Sequence, residues 1–167
     1  MSVRVVRVHA TCLKLGRAAR AFRAPETAGV LILGSSGSGK SDLALRLIAL
    51  GATLVADDQT ELFVKRGKLH GRAPERIAGL MEIRGLGILD MPHAKTVTIT
   101  LAVQLARKFA RMPAPARYTP PQILGVHPRH HPPLVTLDAR EPSAPDKLRA
   151  AAAKFARGTF PSDVKQD

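Results

Sequence analysis

The segment GVLILGSSGSGKSDLALRLIAL, residues 29–50, constrains the fold more than any other part of the sequence. Its first six residues form a short apolar run bounded by glycines, which predicts a buried strand. Its last ten residues place leucine and isoleucine at near-helical spacing, which predicts a helix that stops at Gly51. A strand, a tight loop and a helix in this order are typical of an α/β sheet, so the sequence predicts an α/β domain.

The loop between that strand and that helix fits the pattern G-x-x-x-x-G-K-[ST] at every fixed position. Glycines allow successive backbone N–H groups to face phosphate oxygens, and the helix N-terminus adds partial positive charge. We expect Lys40 to neutralise the β- and γ-phosphates and Ser41 to ligate Mg²⁺. The alternative is a flexible Gly-Ser linker, but a linker is not set between an apolar strand and an apolar helix. The predicted nucleotide-binding residues are Gly34, Ser35, Ser36, Gly37, Ser38, Gly39, Lys40 and Ser41.

Two adjacent aspartates, Asp57 and Asp58, end the predicted strand TLVADD. Strand ends of this kind face the ligand crevice of α/β sheets. Successive strand residues point in opposite directions, so one carboxylate would hold Mg²⁺ and the other would accept a proton from a hydroxyl nucleophile. The alternative is that one of them caps the following turn. The sequence does not decide which aspartate is the base, and we favour Asp57 because it leaves the strand first.

The remaining elements follow from periodicity and turn residues. Residues 73–91 mix a helix-like part with a glycine-punctuated part, and residues 106–122 are basic, Pro-rich and loop-like. Ser143 and Asp146 have the spacing of a capping box at the start of a C-terminal helix. The predicted strands span residues 3–15, 96–105 and 133–140, with two short ones around the KRGK turn. We expect one domain over residues 1–158 and a frayed tail over 159–167.

The charge balance is strongly basic, with 26 Lys and Arg against 13 Asp and Glu, a net charge of +13. Such a balance favours acidic partners, or reflects an arginine-rich proteome. Aromatic residues are only 4%, which disfavours single-stranded nucleic acid, and we expect no nucleic-acid or membrane partner. Arg107, Arg111 and Arg117 would form a solvated face or dock an acidic partner. The single cysteine and the lack of a secretory or membrane-spanning run predict a cytoplasmic protein.

Several other residues receive structural interpretations from the sequence. Cys12 is expected to be a small buried apolar residue, and His9 by itself would be a structural histidine. The histidines of HPRHH, His127, His130 and His131, have no interleaved cysteine or carboxylate. They therefore predict a basic loop rather than a metal site.

The run EIRGLGI, residues 82–88, together with VADD after the loop and helix, resembles the HPr kinase/phosphorylase family over about residues 7–105. The resemblance implies a fold related to phosphoenolpyruvate carboxykinase, with a mixed sheet and flanking helices. It implies an enzyme that uses ATP and Mg²⁺ to phosphorylate a serine of an HPr-like phosphocarrier protein. Many members also remove that phosphate by phosphorolysis, and the family is hexameric.

Position by position, the resemblance also implies roles for individual residues. His9 matches a histidine upstream of the nucleotide loop, and Asp57 with Asp58 matches the pair that contains the catalytic aspartate. Glu82 matches an Mg²⁺ ligand that would share the metal with Ser41. Arg84 matches the signature arginine, which would neutralise charge on a transferring phosphoryl group.

Some segments depart from the family pattern. The chain resembles a short form with the catalytic domain alone, it carries extra residues between His9 and the loop, and its 91–95 segment is shortened. The segment tied to dephosphorylation survives only as GVHPRHHPPLVTLD, so we expect kinase activity with a weak or absent reverse reaction. The alternative function is a nucleotide-regulated binding module that holds a partner without phosphoryl transfer. Both aspartates and Glu82 favour the enzyme, because binding alone requires no base.

Overall fold

The computed structural model describes residues 2–158, in which nine strands, two α-helices and four short 3₁₀ segments follow one another along the chain. The strands are β1 (Val5–Lys14), β2 (Gly29–Leu33), β3 (Thr53–Ala56), β4 (Gln59–Lys65), β5 (Lys68–Arg72), β6 (Leu80–Ile83), β7 (Gly87–Asp90), β8 (Val97–Leu105) and β9 (Leu134–Leu137). The helices are α1 (Lys40–Ala49) and α2 (Ala144–Ala156). The 3₁₀ segments are Gly16–Phe22, Glu75–Ile77, Gln122–Leu124 and Pro128–His130.

The two longest strands, β1 and β8, each belong to two sheet layers. The first half of β1 pairs antiparallel with β4, and its second half pairs antiparallel with β2 and β3. The start of β8 pairs antiparallel with β5, and the rest of it pairs parallel with β2 and β9. The result is a mixed sheet with flanking helices, which confirms the predicted α/β class.

Two apolar cores hold the layers together. One lies between the sheet layers and contains Cys12, Leu31 and Leu62, none of which is exposed. The other lies between the sheet and the helices and contains Leu43 and Leu148. Each fully buried aliphatic side chain contributes roughly 1.5–3 kcal/mol to stability, so both cores fix the strands that carry the site.

Helix α2 packs against the 3₁₀ segment Gly16–Phe22, which lies before the glycine-rich loop in the stretch that the family resemblance counts as extra. Arg149 of α2 donates to the carbonyl of Ala18 at 3.2 Å, and its guanidinium lies 5.0 Å from the Phe22 ring centroid. Asp146 pairs with Arg149, while Ser143 makes no side-chain capping bond. The helix is confirmed but the capping box is wrong, because the arginine takes the carboxylate.

Two details of the predicted elements are corrected. The helix-like part of residues 73–91 forms only the 3₁₀ turn Glu75–Ile77, and the following residues form the antiparallel hairpin β6–β7. Strand β3 ends at Ala56 and does not include the aspartates, because Asp58 has φ 65° and cannot continue an extended strand. The predicted tail, 159–167, lies outside the described residues.

Within residues 2–158, neither of the α-helices has an apolar stretch of the length needed to cross a bilayer.

Candidate active site

The site forms at one edge of the sheet because of how β1 pairs with its neighbours. Strands β2 and β3 flank β1 on opposite sides and both run antiparallel to it. Their carboxyl ends therefore lie at the same edge, which brings the glycine-rich loop (residues 34–41) and the aspartates to the same place. His9 and Thr11 lie on β1 between them.

The glycine-rich loop is folded tightly around its own lysine. A Cβ at Gly34 would lie 2.3 Å from Ser38 Oγ, so any side chain there would displace the Ser38 hydroxyl from the loop. Lys40 is 4% exposed and donates to the carbonyls of Gly34 at 2.9 Å and Ser35 at 3.1 Å. A buried ammonium with only neutral carbonyl acceptors among the described residues has charge that a bound anion would compensate. Ser38 Oγ is also buried without a partner in this part of the chain. The loop therefore fits a phosphate.

Asp57 is the inner of the two aspartates and is 7% exposed. Its Oδ1 accepts from the Ser41 hydroxyl at 2.7 Å and from the Thr11 hydroxyl at 3.3 Å. Its Oδ2 accepts from the Glu82 backbone N–H at 3.1 Å. Three donors fix this carboxylate beside the Ser41 hydroxyl, and the pair offers the hard oxygen ligands that Mg²⁺ prefers.

Asp58 has a different environment although it is the next residue. Its positive φ turns the side chain outward, where it is 58% exposed. Its Oδ1 lies 2.6 Å from His9 Nε2, and because a carboxylate only accepts, Nε2 carries the shared proton. The backbone N–H of Asp58 donates to Thr11 Oγ1 at 3.1 Å. Asp58 is thus a solvent-facing carboxylate oriented by a histidine.

A cleft of about 530 Å³ lies between the loop, the aspartates and strand β6. Glu82 and Arg84 of the hairpin β6–β7 line it and are exposed. The predicted residues that line this cleft are Ser36, Gly37, Gly39, Lys40, Ser41, Asp57, Asp58, Glu82 and Arg84. Gly34, Ser35 and Ser38 belong to the loop but do not line the cleft, and His9 reaches it only through Asp58.

A cation bound in this cleft would be coordinated by oxygen atoms of several kinds. In residues 2–158, no three His, Cys, Asp or Glu side chains converge to hold a metal ion by themselves. Mg²⁺ is commonly held by one or two carboxylates, a hydroxyl, waters and substrate phosphates. Ser41, Asp57 and Glu82 fit such a partial set, which a bound nucleotide would complete.

Thr11 is the site residue with polar contacts to both aspartates that sequence reasoning missed. It is fully buried, and its hydroxyl donates to Asp57 while accepting from the backbone of Asp58. The available signal was its position two residues after His9 on a predicted strand, which puts both side chains on one face. Asp42, Leu45 and Ile83 also line the cleft and were not predicted.

A charged pair outside the cleft, Asp138 and Arg140, lies beside the glycine-rich loop. A Cβ added at Gly39 would lie 3.0 Å from the Cβ of Ala139, so residues 138–140 pack against the loop. Hydrogen bonds from the Arg140 side chain hold the pKa of Asp138 down at about 2, so this carboxylate stays ionised at neutral pH. Arg46 of α1 donates to the Ala139 carbonyl and anchors the segment.

Comparison with known proteins places the chain in a family. The family model described as the HPr serine kinase C-terminal domain matches residues 26–111. The HPr kinase/phosphorylase of Cupriavidus necator is 41% identical over 112 residues, which cover 59% of this chain and 34% of that protein. The HPr kinase/phosphorylase of Clostridium tetani is 52% identical over 76 residues, which cover 46% of this chain and 25% of that protein. The chain therefore spans about a third or less of these relatives' length.

A solved structure supports the same fold. The HPr(Ser) kinase/phosphatase from Coxiella burnetii superposes with a TM-score of 0.69 at 24% identity, covering 93% of this chain and 99% of that chain. At this identity the likeness concerns the fold alone.

Proposed function

The chain belongs to the HPr serine kinase C-terminal domain family, and on this premise we propose that it transfers the γ-phosphoryl group of Mg·ATP to a serine of an HPr-like phosphocarrier protein. The observation that carries the proposal is the pairing of Asp58 with His9 at 2.6 Å, in the cleft that the glycine-rich loop also lines. A loop alone would serve nucleotide binding. An oriented, exposed carboxylate beside it supplies a base for an incoming hydroxyl.

We assign the role of base to Asp58 and not to Asp57, which the sequence had favoured. A base must reach the proton of the acceptor hydroxyl, and Asp58 is exposed while Asp57 is committed to three donors. His9 holds the Asp58 carboxylate in one orientation and receives no other role. Thr11 spaces the two aspartates through its single hydroxyl.

The other cleft residues bind and neutralise phosphates. Lys40 would exchange its carbonyl partners for phosphate oxygens, and Arg84 would meet charge that develops on the transferring group. Ser41, Asp57 and Glu82 would hold Mg²⁺. When bound, the metal would offset the negative charge of the nucleotide phosphates.

The test is to incubate the protein with γ-labelled ATP, Mg²⁺ and the organism's HPr-like proteins, and to map the labelled residue. We expect label on a serine of the phosphocarrier. Lys40→Ala should lose transfer and weaken ATP binding, whereas Lys65→Ala, an exposed lysine near a hairpin turn, should match the parent. Equal transfer by Lys40→Ala would contradict the assignment of the loop.

The competing candidate is a nucleotide-regulated binding module. It is favoured by the segment 106–131, which carries five Arg and Lys residues and no Asp or Glu. In that case ATP would bind and a partner would be held, but no label would move to any serine. The hexamer that the family resemblance implies also remains a proposal, which sedimentation velocity would check.

A further inference from the structure

The hairpin β6–β7 exposes large apolar side chains beside the cleft. Leu86 is 77% exposed, Ile88 is 71% exposed and Leu89 is 38% exposed. We call residues 84–89 the hairpin tip. Single exposed apolar residues need no explanation, but Leu86 at the turn and Ile88 just after it together form a patch of the kind that marks interaction sites.

The tip is held in place by its base. Met81 is buried in the core, and the backbone N–H of Met91 donates to the Gly79 carbonyl at 2.7 Å. Gly85 and Gly87 have φ of 87° and 102°, which few other residues adopt, and they allow the three-residue turn. The chain thus builds a defined turn that projects apolar side chains into solvent.

Strand register connects the tip to the site. Ile88 pairs directly with Glu82, so the two side chains share one face of the hairpin. Glu82 and Arg84 line the cleft that contains Asp58. The exposed Ile88 is therefore an immediate neighbour of a cleft carboxylate, while Leu89 pairs with buried Met81 on the other face.

We propose that the hairpin tip is the docking surface for the acceptor protein, and that the acceptor presents apolar side chains beside its reactive serine. The inference rests on the proposed function and defines its substrate more closely. A hydroxyl that approaches Asp58 must enter a cleft bounded by β6, so whatever carries that hydroxyl lies against the tip.

The size of the patch favours a transient partner over a second copy of this chain. The exposed parts of the Leu86 and Ile88 side chains amount to roughly 250 Å², the scale of a small functional patch on a monomer. A stable dimer buries about 800 Å² on each partner. The tip alone therefore suits a protein that docks, reacts and leaves.

The experiment uses the double variant Leu86→Ser/Ile88→Ser and the HPr-like phosphocarrier of the same organism. We expect KM for the phosphocarrier to rise about tenfold or more, because two apolar contacts are lost, with ATP affinity within about twofold of the parent. Direct binding of the phosphocarrier, measured with Mg²⁺ and a non-hydrolysable ATP analogue, should weaken by the same factor. The matched control is Val3→Ser/Leu50→Ser, whose parent side chains are 60% and 44% exposed just outside the ends of β1 and α1, away from the cleft, and it should leave both readouts unchanged.

The outcomes separate this inference from the proposed function. If the parent binds the phosphocarrier but transfers no phosphate, and the tip variant loses that binding, the docking surface stands and the kinase proposal fails. If transfer and binding are equal in the tip variant and the parent, the docking proposal is overturned while the kinase stands. If the tip variant sediments as a smaller species than the parent, the patch is a subunit interface and the proposal is also overturned. Absence of any binding by the parent would overturn both.

Discussion

At the scale of single residues, the backbone of Asp58 decides the chemistry of the pair. Its φ of 65° reverses the chain direction one residue after Asp57. This step leaves Asp57 buried under three donors and turns Asp58 toward solvent. Aspartate tolerates the left-handed region better than most residues, and here the Thr11 hydroxyl holds the Asp58 N–H in that conformation.

We predict that Asp57→Asn and Asp58→Asn separate metal binding from proton transfer. Asp58→Asn keeps the shape but loses the proton acceptor, so ATP affinity should persist while transfer falls roughly 10²–10⁴-fold. Asp57→Asn should instead raise the Mg²⁺ concentration needed for half-maximal activity. The measurements are nucleotide affinity, Mg²⁺ dependence and transfer rate for each variant. Parent-like transfer by Asp58→Asn would show that this residue is not the base.

Cys12 gives a prediction that does not depend on function. Burial raises the pKa of its thiol from 9.0 to about 12, so the native thiol stays protonated and enclosed at pH 8. Reaction with a thiol reagent should be ~100-fold slower in the native protein than in urea, since it needs opening of the core. The unfolded thiol ionises first as pH rises, so stability should be unaffected below pH 9 and should fall between pH 9 and about 12. Comparable reaction rates in the native and unfolded states would contradict the burial.

At the scale of elements, α2 and the extra 3₁₀ segment form one structural unit. Arg149 is the link, because its guanidinium meets a carbonyl and an aromatic ring of that segment. The extra residues therefore have a packing partner that lies far along the chain. None of its residues lines the cleft, so it can be altered separately from the site.

We predict that Arg149→Ala lowers the free energy of unfolding by about 2 kcal/mol, since it leaves the Ala18 carbonyl without this donor and removes packing on Phe22. Asp146→Ala should cost less than about 1 kcal/mol, because that carboxylate is 53% exposed and its ion pair is screened. Urea denaturation followed by circular dichroism measures the free energy of unfolding of both variants. Equal losses in the two variants would argue that the ion pair, and not the contact with the 3₁₀ segment, is what stabilises α2.

At the scale of the whole molecule, the basic surface is the remaining feature to explain. Arg107, Lys108 and Arg111 follow β8, whose carboxyl end lies at the same edge as the glycine-rich loop because β8 runs parallel to β2. Their charge is therefore at the edge where an acceptor would approach. Exposed charges at this position steer association more than they stabilise a complex.

We predict that salt weakens encounter without changing the chemical step. Raising salt from about 0.05 M to about 0.5 M shortens the screening length, so kcat/KM for the phosphocarrier should fall while kcat at saturation stays constant. A kcat/KM that does not change with salt concentration would exclude steering. Binding to DNA or RNA with a steep logarithmic salt slope, in the absence of any phosphocarrier, would instead identify nucleic acid as the partner of this surface.

The reverse reaction is predicted to be weak or absent. The motivation comes from the family resemblance, which implies a shortened 91–95 segment and a reduced later segment, GVHPRHHPPLVTLD, where the family carries the part tied to dephosphorylation. Incubation of seryl-phosphorylated phosphocarrier with inorganic phosphate should release little pyrophosphate compared with the forward rate. Release at a rate equal to forward transfer would contradict the prediction.

The sequence could predict the parts of the molecule that contiguous residues build. The glycine-rich loop is one of them, because the backbone N–H groups and Lys40 that we propose to meet the phosphates come from eight consecutive residues. The strands β1, β2 and β8 and the helices are others, since side-chain alternation and helical spacing record local burial. The 80–90 hairpin was missed because its exposed apolar residues resemble those of a buried helix.

The tertiary structure alone decided how these parts combine into a site. The distinction between Asp57 and Asp58 depends on hydrogen bonds from Thr11, Ser41 and the Glu82 backbone, which lie 46, 16 and 25 positions away along the chain. Strand alternation could show only that neighbouring side chains diverge. Which carboxylate is buried follows from the pairing of β1 with β3 and from the left-handed backbone of Asp58, and the local sequence pattern predicts neither. Long-range pairing therefore selects the exposed carboxylate, because it fixes which side of the turn faces protein and which faces water.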